Sequence, residues 1–122
     1  LAEMTRLGAA LGGRRETFAG LAGLGDLVVT CTSELSRNRR LGRAVGAGRV
    51  LEEFQSGTPQ VAEGVNACRA AVSLSAELGV SMPITRQVEA VLFGHRDPSR
   101  ALADLLGREA RSEDAEDGAG TP

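Results

Sequence analysis

"LVVTCT", residues 27–32, decides the fold class. Taken alone it scores as a strand, because valine and threonine favour extended backbone. A strand needs a partner, and a lone one is not stable. No second run of comparable β character is present anywhere in the chain. The stretch therefore reads as a helix, and with it the whole chain reads as all-α. In that conformation Asp26 and Thr30 share one face as an i, i+4 pair. Asp26 lies between Gly25 and Leu27 and ahead of two valines, so it is expected to be partly buried. Such a carboxylate either caps the helix that follows or accepts hydrogen bonds from hydroxyls or a cation.

Upstream, "LAEMTRLGAALGG" repeats Leu1, Met4, Leu7 and Leu11 at helical spacing and stops at Gly12-Gly13. A chain that opens inside a helical pattern, without Met, is expected to be a piece of something larger. "RRETFAG" can form a helical turn. "GLAGLG", residues 20–25, crowds glycines but lacks the strand–turn–helix setting of a dinucleotide fingerprint; no G-x-G-x-x-G follows a strand, and there is no P-loop.

Downstream, Ser36 is an N-cap residue type and "RNRRLGRAVGAG" reads as a helix ending at Gly46 or Gly48. "VLEEFQSG" gives a short helix and "TPQVAEG" a connection. "VNACRAAVSLSAELG" is the clearest helix, with Val65, Cys68, Val72, Ser75 and Leu78 on a narrow face and Gly79 ending it. Pro83 opens another helix. Asp97, followed by Pro98, caps the last. The sum is about seven helices over residues 1–108. The last fourteen residues, 109–122, hold five acids and one Arg and no apolar period. They are expected to form a disordered acidic tail.

Composition narrows the function. The tail carries a net −4 and the body, with thirteen Arg and eleven acids, a net +2. Such a body is too weakly basic for a nucleic-acid binder, and the Arg-rich stretch has no aromatic side chain for stacking. Every basic residue is Arg, so chemistry that needs a lysine amine cannot come from this chain. One His and two Cys, 37 residues apart, do not make a zinc site; Cys31 and Cys68 read as reduced, buried, cytosolic thiols. No run reaches the length of a membrane span.

The chemistry gathers at "SRN", residues 36–38. A helix start offers outward N–H groups and a positive dipole end. Ser36 adds a hydroxyl, Arg37 a planar fork suited to two phosphate oxygens, and Asn38 an amide donor. Around the helix, Arg39 lies about 200° from Arg37 and should serve solvent or an acidic neighbour. The plain alternative is a capped, solvated basic helix start. Glu63 in "QVAEG" precedes a long helix, where an acid is favoured by the dipole alone. His95 follows a helix end and reads as exposed or as a dipole contact.

"GLAGLGDLVVTCTSELSRNRRLG", "QVAEG" and "ELGVSMPITRQVEAVLFG", in that order and spacing, resemble bacterial NAD(P)-dependent glycerol-3-phosphate dehydrogenase. The similarity runs from Leu1 to about Arg108, without gaps between Asp26 and Glu63. It implies a helical C-terminal domain of the 6-phosphogluconate dehydrogenase type, with the Rossmann domain outside this chain. It implies that Asp26, Ser36, Arg37 and Asn38 line the substrate site, and that Arg37, Val61 and Glu63 reach NAD(P)H, held mainly by the other domain. The catalytic lysine would lie upstream, so no catalytic residue is assigned here. Dihydroxyacetone phosphate and glycerol 3-phosphate would be the ligands, the chain's own Rossmann domain and a second copy in a homodimer its partners, and the cytoplasm its place. The competing reading is a stand-alone helical module that only holds phosphate esters or dimerises.

Overall fold

The computed structural model describes residues 1–57 and 63–108; the expected acidic tail and Val61 lie outside the described residues. Within them there are eight α-helices and no strand: α1 Ala2–Ala10, α2 Arg15–Ala19, α3 Asp26–Thr32, α4 Arg37–Gly46, α5 Leu51–Ser56, α6 Glu63–Glu77, α7 Pro83–Phe93 and α8 Pro98–Leu106. A π-helical turn, Leu21–Gly25, runs into α3. The all-α expectation holds, with the short α2 raising the count from about seven to eight.

Helix α3 contains the disputed "LVVTCT", and it is helical throughout. Its start departs from expectation. Asp26 does not cap it: the π turn continues into the helix, so Gly25 and Asp26 are already in helical conformation (φ −60° and −63°). Of the crowded glycines upstream, Gly23 serves packing, as does Gly8 in α1. A Cβ on Gly23 would collide with the Phe18 backbone, and one on Gly8 with the Phe18 ring. The two glycines let Phe18 wedge between α1 and the π turn.

The core centres on α4. Leu41 and Val45, one turn apart, are buried against Leu51 of α5 and Val65 of α6, with Phe54, Val91, Leu92 and Phe93 packed around them. Burying such side chains contributes about 1.5–3 kcal/mol each. On α6 the predicted face buries Val65, Cys68 and Ser75, but Leu78 falls beyond the helix end and is exposed. There the chain leaves through Gly79 at φ +66°. Arg69 of α6 stacks on the Phe93 ring, 3.9 Å from its centroid, and ties α6 to α7.

Helix α1 reverses its pattern. Leu1, Met4 and Leu11 are exposed, whereas Glu3 is buried. The cause lies in α7. Met82 at its N-cap supplies no side-chain acceptor, and Pro83 has no N–H. Glu3 accepts from Ile84 N at 2.6 Å, Thr85 N at 3.0 Å and Thr85 Oγ1 at 2.8 Å, capping α7 from the other end of the chain. Arg6 adds a second tie by donating to the Ser81 carbonyl at 3.0 Å. Among the described residues no helix is long and apolar enough to cross a membrane.

Candidate functional site

The helix that builds the core also presents the polar cluster. With Leu41 and Val45 fixed in the interior, the first turn of α4 is held at a constant position. Ser36 caps that turn as its residue type predicts: its Oγ accepts from Arg39 N at 3.2 Å. The hydroxyl proton remains available to a ligand.

Val29, Thr30, Ser33, Leu35, Ser36, Arg37, Asn38 and Glu63 enclose an open cavity of about 290 Å³ between the end of α3, the start of α4 and the start of α6. The structure thus brings Ser36, Arg37, Asn38 and Glu63 together around one space. Asp26 does not line it. It is exposed rather than partly buried, because the π turn holds the start of α3 at the surface. Thr30, one turn further along the same face, lines the cavity instead. Thr30 and Ser33 were not singled out as site residues in the sequence; the i, i+4 relation to Asp26 was the one signal for Thr30.

Asn38 has a second role. Its Oδ1 accepts from Gly64 N at 3.1 Å, satisfying one of the first N–H groups of α6. The link holds the start of α6, and with it Glu63, against α4. Only the NH₂ end of Asn38 is then left to face a ligand.

Arg39 turns away from the cavity and forms an ion pair with Glu34; Arg43 joins the same carboxylate at 3.3 Å. The Arg39 side chain is 28% exposed, more enclosed than a solvated arginine. The hydrogen bond and charge of Arg39 hold the Glu34 carboxyl below its ordinary range, with Arg43 adding a smaller effect. Arg37 is exposed and lines the cavity.

The thiols divide. Cys68 is buried, donates to the Thr85 carbonyl at 3.6 Å, and has its pKa raised by burial and then by the nearby Glu89 charge. Cys31 is exposed, against expectation, because α3 turns that face outward. Among the described residues no group of three or more His, Cys, Asp or Glu side chains could hold a metal ion. His95 is exposed, as expected, and occupies the left-handed region at φ +52°.

A family profile described as NAD-dependent glycerol-3-phosphate dehydrogenase C-terminus matches residues 1–103. The chain belongs to this family. It is 55% identical over 113 residues to a glycerol-3-phosphate dehydrogenase (NAD(P)+) of Cupriavidus necator, covering 93% of this chain and 33% of that protein. A protein of the same name from Acidobacterium capsulatum is 55% identical over 114 residues, with 93% and 34% covered. The crystal structure of glycerol-3-phosphate dehydrogenase from Coxiella burnetii superposes with a TM-score of 0.83 at 44% identity, over 87% of this chain and 33% of that one. The chain therefore spans about a third of the length of the dehydrogenases it matches. Its helical fold is that of their C-terminal part.

Proposed function

We propose that this chain is the substrate-binding part of an NAD(P)-dependent glycerol-3-phosphate dehydrogenase, which interconverts dihydroxyacetone phosphate and sn-glycerol 3-phosphate for glycerophospholipid synthesis in the cytoplasm. Residues 1–108 form the substrate-binding domain in this reading. The observation that carries it is the convergence of Ser36, Arg37, Asn38 and Glu63 on one cavity. At about 290 Å³ it lies just below the usual range of small-molecule sites, roughly 300–1,000 Å³, and suits a small phosphate ester better than a whole dinucleotide.

Each residue's part follows from its chemistry. Arg37 pairs its fork with phosphate oxygens, while the start of α4 directs its dipole at the same charge. Ser36 donates its hydroxyl proton, and Asn38 donates from its NH₂ group. Asp26, outside the cavity wall, accepts from a substrate hydroxyl or orients a lysine ammonium supplied by the rest of the enzyme. NAD(P)H, when bound, supplies the hydride. Arg37 and Glu63 fit its edge, a cation and an anion across one cavity, and Val61 would complete that contact. This chain contributes positioning, which can account for a large part of a barrier. The proton-transfer group would come from outside it, since the chain has no lysine. Pairing of two copies belongs to the same proposal.

The test joins this chain to the N-terminal two thirds of the Cupriavidus necator relative. The fusion should oxidise NADH or NADPH with dihydroxyacetone phosphate, and the 122-residue chain alone should not. Turnover by the chain alone would refute the division of labour. A fusion that binds NADH and dihydroxyacetone phosphate yet does not reduce it would point to a module that only holds phosphate esters, and one that does not bind the ketone to a module that only dimerises.

A further inference from the structure

We infer that Gly64 is a positioning residue for substrate binding, acting through Asn38; the inference rests on the substrate reading of the cavity. Asn38 and Gly64 lie 26 residues apart and meet side chain to backbone: Gly64 N donates to Asn38 Oδ1 at 3.1 Å. The contact is close on every side. A Cβ at position 64 would stand 2.5 Å from Asn38 Oδ1, 2.8 Å from its Cγ and 3.0 Å from its Nδ2. These distances are too short for any side chain, so the amide can lie where it does only over a glycine.

What would yield is decisive. The colliding atoms are the end of a short side chain in an exposed place and not backbone. A methyl group at position 64 is therefore relieved by swinging the Asn38 amide aside, at small cost to the fold. The cost falls on function instead. The amide loses the N–H that fixes which end faces Gly64, and its NH₂ group leaves the cavity wall. Because Glu63 is the neighbouring residue, one contact sets the spacing between the polar start of α4 and the acid at the start of α6. Gly64 touches no ligand in this account; it fixes the rotamer of a residue that does.

The experiment uses a full-length dehydrogenase carrying this segment as its C-terminal third. Gly64→Ala, Asn38→Ala, the double variant and Gly42→Ala are compared. Gly42 is the control, since it lies in the same helix as Asn38 and a Cβ there meets nothing within 4 Å. Gly64→Ala should raise KM for dihydroxyacetone phosphate about 10-fold, the scale of one hydrogen bond, with a near-unchanged melting temperature. Gly42→Ala should leave KM alone. In the Asn38→Ala background, Gly64→Ala should add nothing further to KM. A wild-type KM for Gly64→Ala, or an undiminished effect when Asn38 is already Ala, overturns the inference.

A failure of the substrate reading looks different: Asn38→Ala would then leave KM unchanged. The contact is in that case judged on the 122-residue chain, by the NMR shift of the Gly64 amide proton. Asn38→Ala should move that resonance and Asn38→Asp, which keeps the acceptor oxygen, should hold it near its place. No movement in either variant removes the contact itself. Should Gly64→Ala fail to fold, the Asn38→Asp variant still decides: a raised KM with the Gly64 resonance in place supports the division of Asn38 into a held oxygen and a working NH₂ group, and a raised KM with the resonance displaced overturns it.

Discussion

Arg37 and Arg39 at the start of α4 show how one turn of helix separates roles. Arg37 is the first residue of α4 and lines the cavity, whereas Arg39 faces Glu34. Replacing Arg37 by Ala in the full-length enzyme should cost about 2–4 kcal/mol of transition-state binding, roughly 30- to 1,000-fold in kcat/KM. Arg39→Ala should leave kcat/KM within a few fold and lower the melting temperature instead, because its partner is a carboxylate of the protein. The stabilising part is tied to pH. The Glu34 pKa is lowered in the folded state, so the contribution is complete above the ordinary carboxylate range and is lost as pH falls through the folded value. Arg39→Ala should therefore differ least from the parent in acid. Equal, small losses of kcat/KM for both variants would return the cluster to a capped, solvated helix start.

At the scale of elements, legibility tracked locality. The cap at Ser36, the proline starts of α7 and α8 and the stop at Gly79 depend on residues a few positions apart, and they were readable. The helical state of α3 was readable by elimination, since its own residues favour a strand. The π turn was not, because Gly23 answers to Phe18 packing rather than to any turn signal. The exposure of Asp26 was lost with it, and Val61 lies outside the described residues. The end of α7 depends on a residue type that gives no turn signal: Gly94 has φ −99°, and the left-handed residue is His95 at +52°. Arg96 N then closes back onto the Ala90 carbonyl at 3.1 Å. A non-glycine residue in that region costs about 1–2 kcal/mol, part of which a glycine loses again through unfolded-chain entropy. His95→Gly should thus raise stability by about 0.5–1 kcal/mol in chemical denaturation. A loss of stability would show that the imidazole makes a contact worth more than the strain.

At the scale of the molecule, the apolar core is thin and polar ties compensate. The buried hydrophobic residues among those described are Leu41, Val45, Leu51, Val65, Cys68, Met82 and Ala101, and three phenylalanines are the only aromatics in the chain. Meanwhile Val29 and Leu35 remain largely exposed at the cavity, as does Leu21 in the π turn. In such a fold a few long-range hydrogen bonds decide whether distant helices dock. Glu3 is the strongest case, since it reaches from α1 to cap α7 across 81 positions and is itself 7% exposed. Sequence spacing could not reveal it, because nothing near Glu3 marks it as other than a first-turn acid. Its removal strands two N–H groups and a hydroxyl at the start of α7. Glu3→Ala should cost about 2–3 kcal/mol, which for a domain of this size lowers the melting temperature by roughly 10–20 °C. Glu3→Gln keeps one acceptor oxygen and should lose clearly less. Thr85→Val deletes only the Oγ1 donor and should fall below both, since the backbone donors keep their carboxylate. Thermal melts of the three variants order these contributions directly. If Glu3→Ala melts with the parent, the carboxylate is a bystander, and the docking of α1 on α7 must come from packing and from the Arg6 contact to the Ser81 carbonyl.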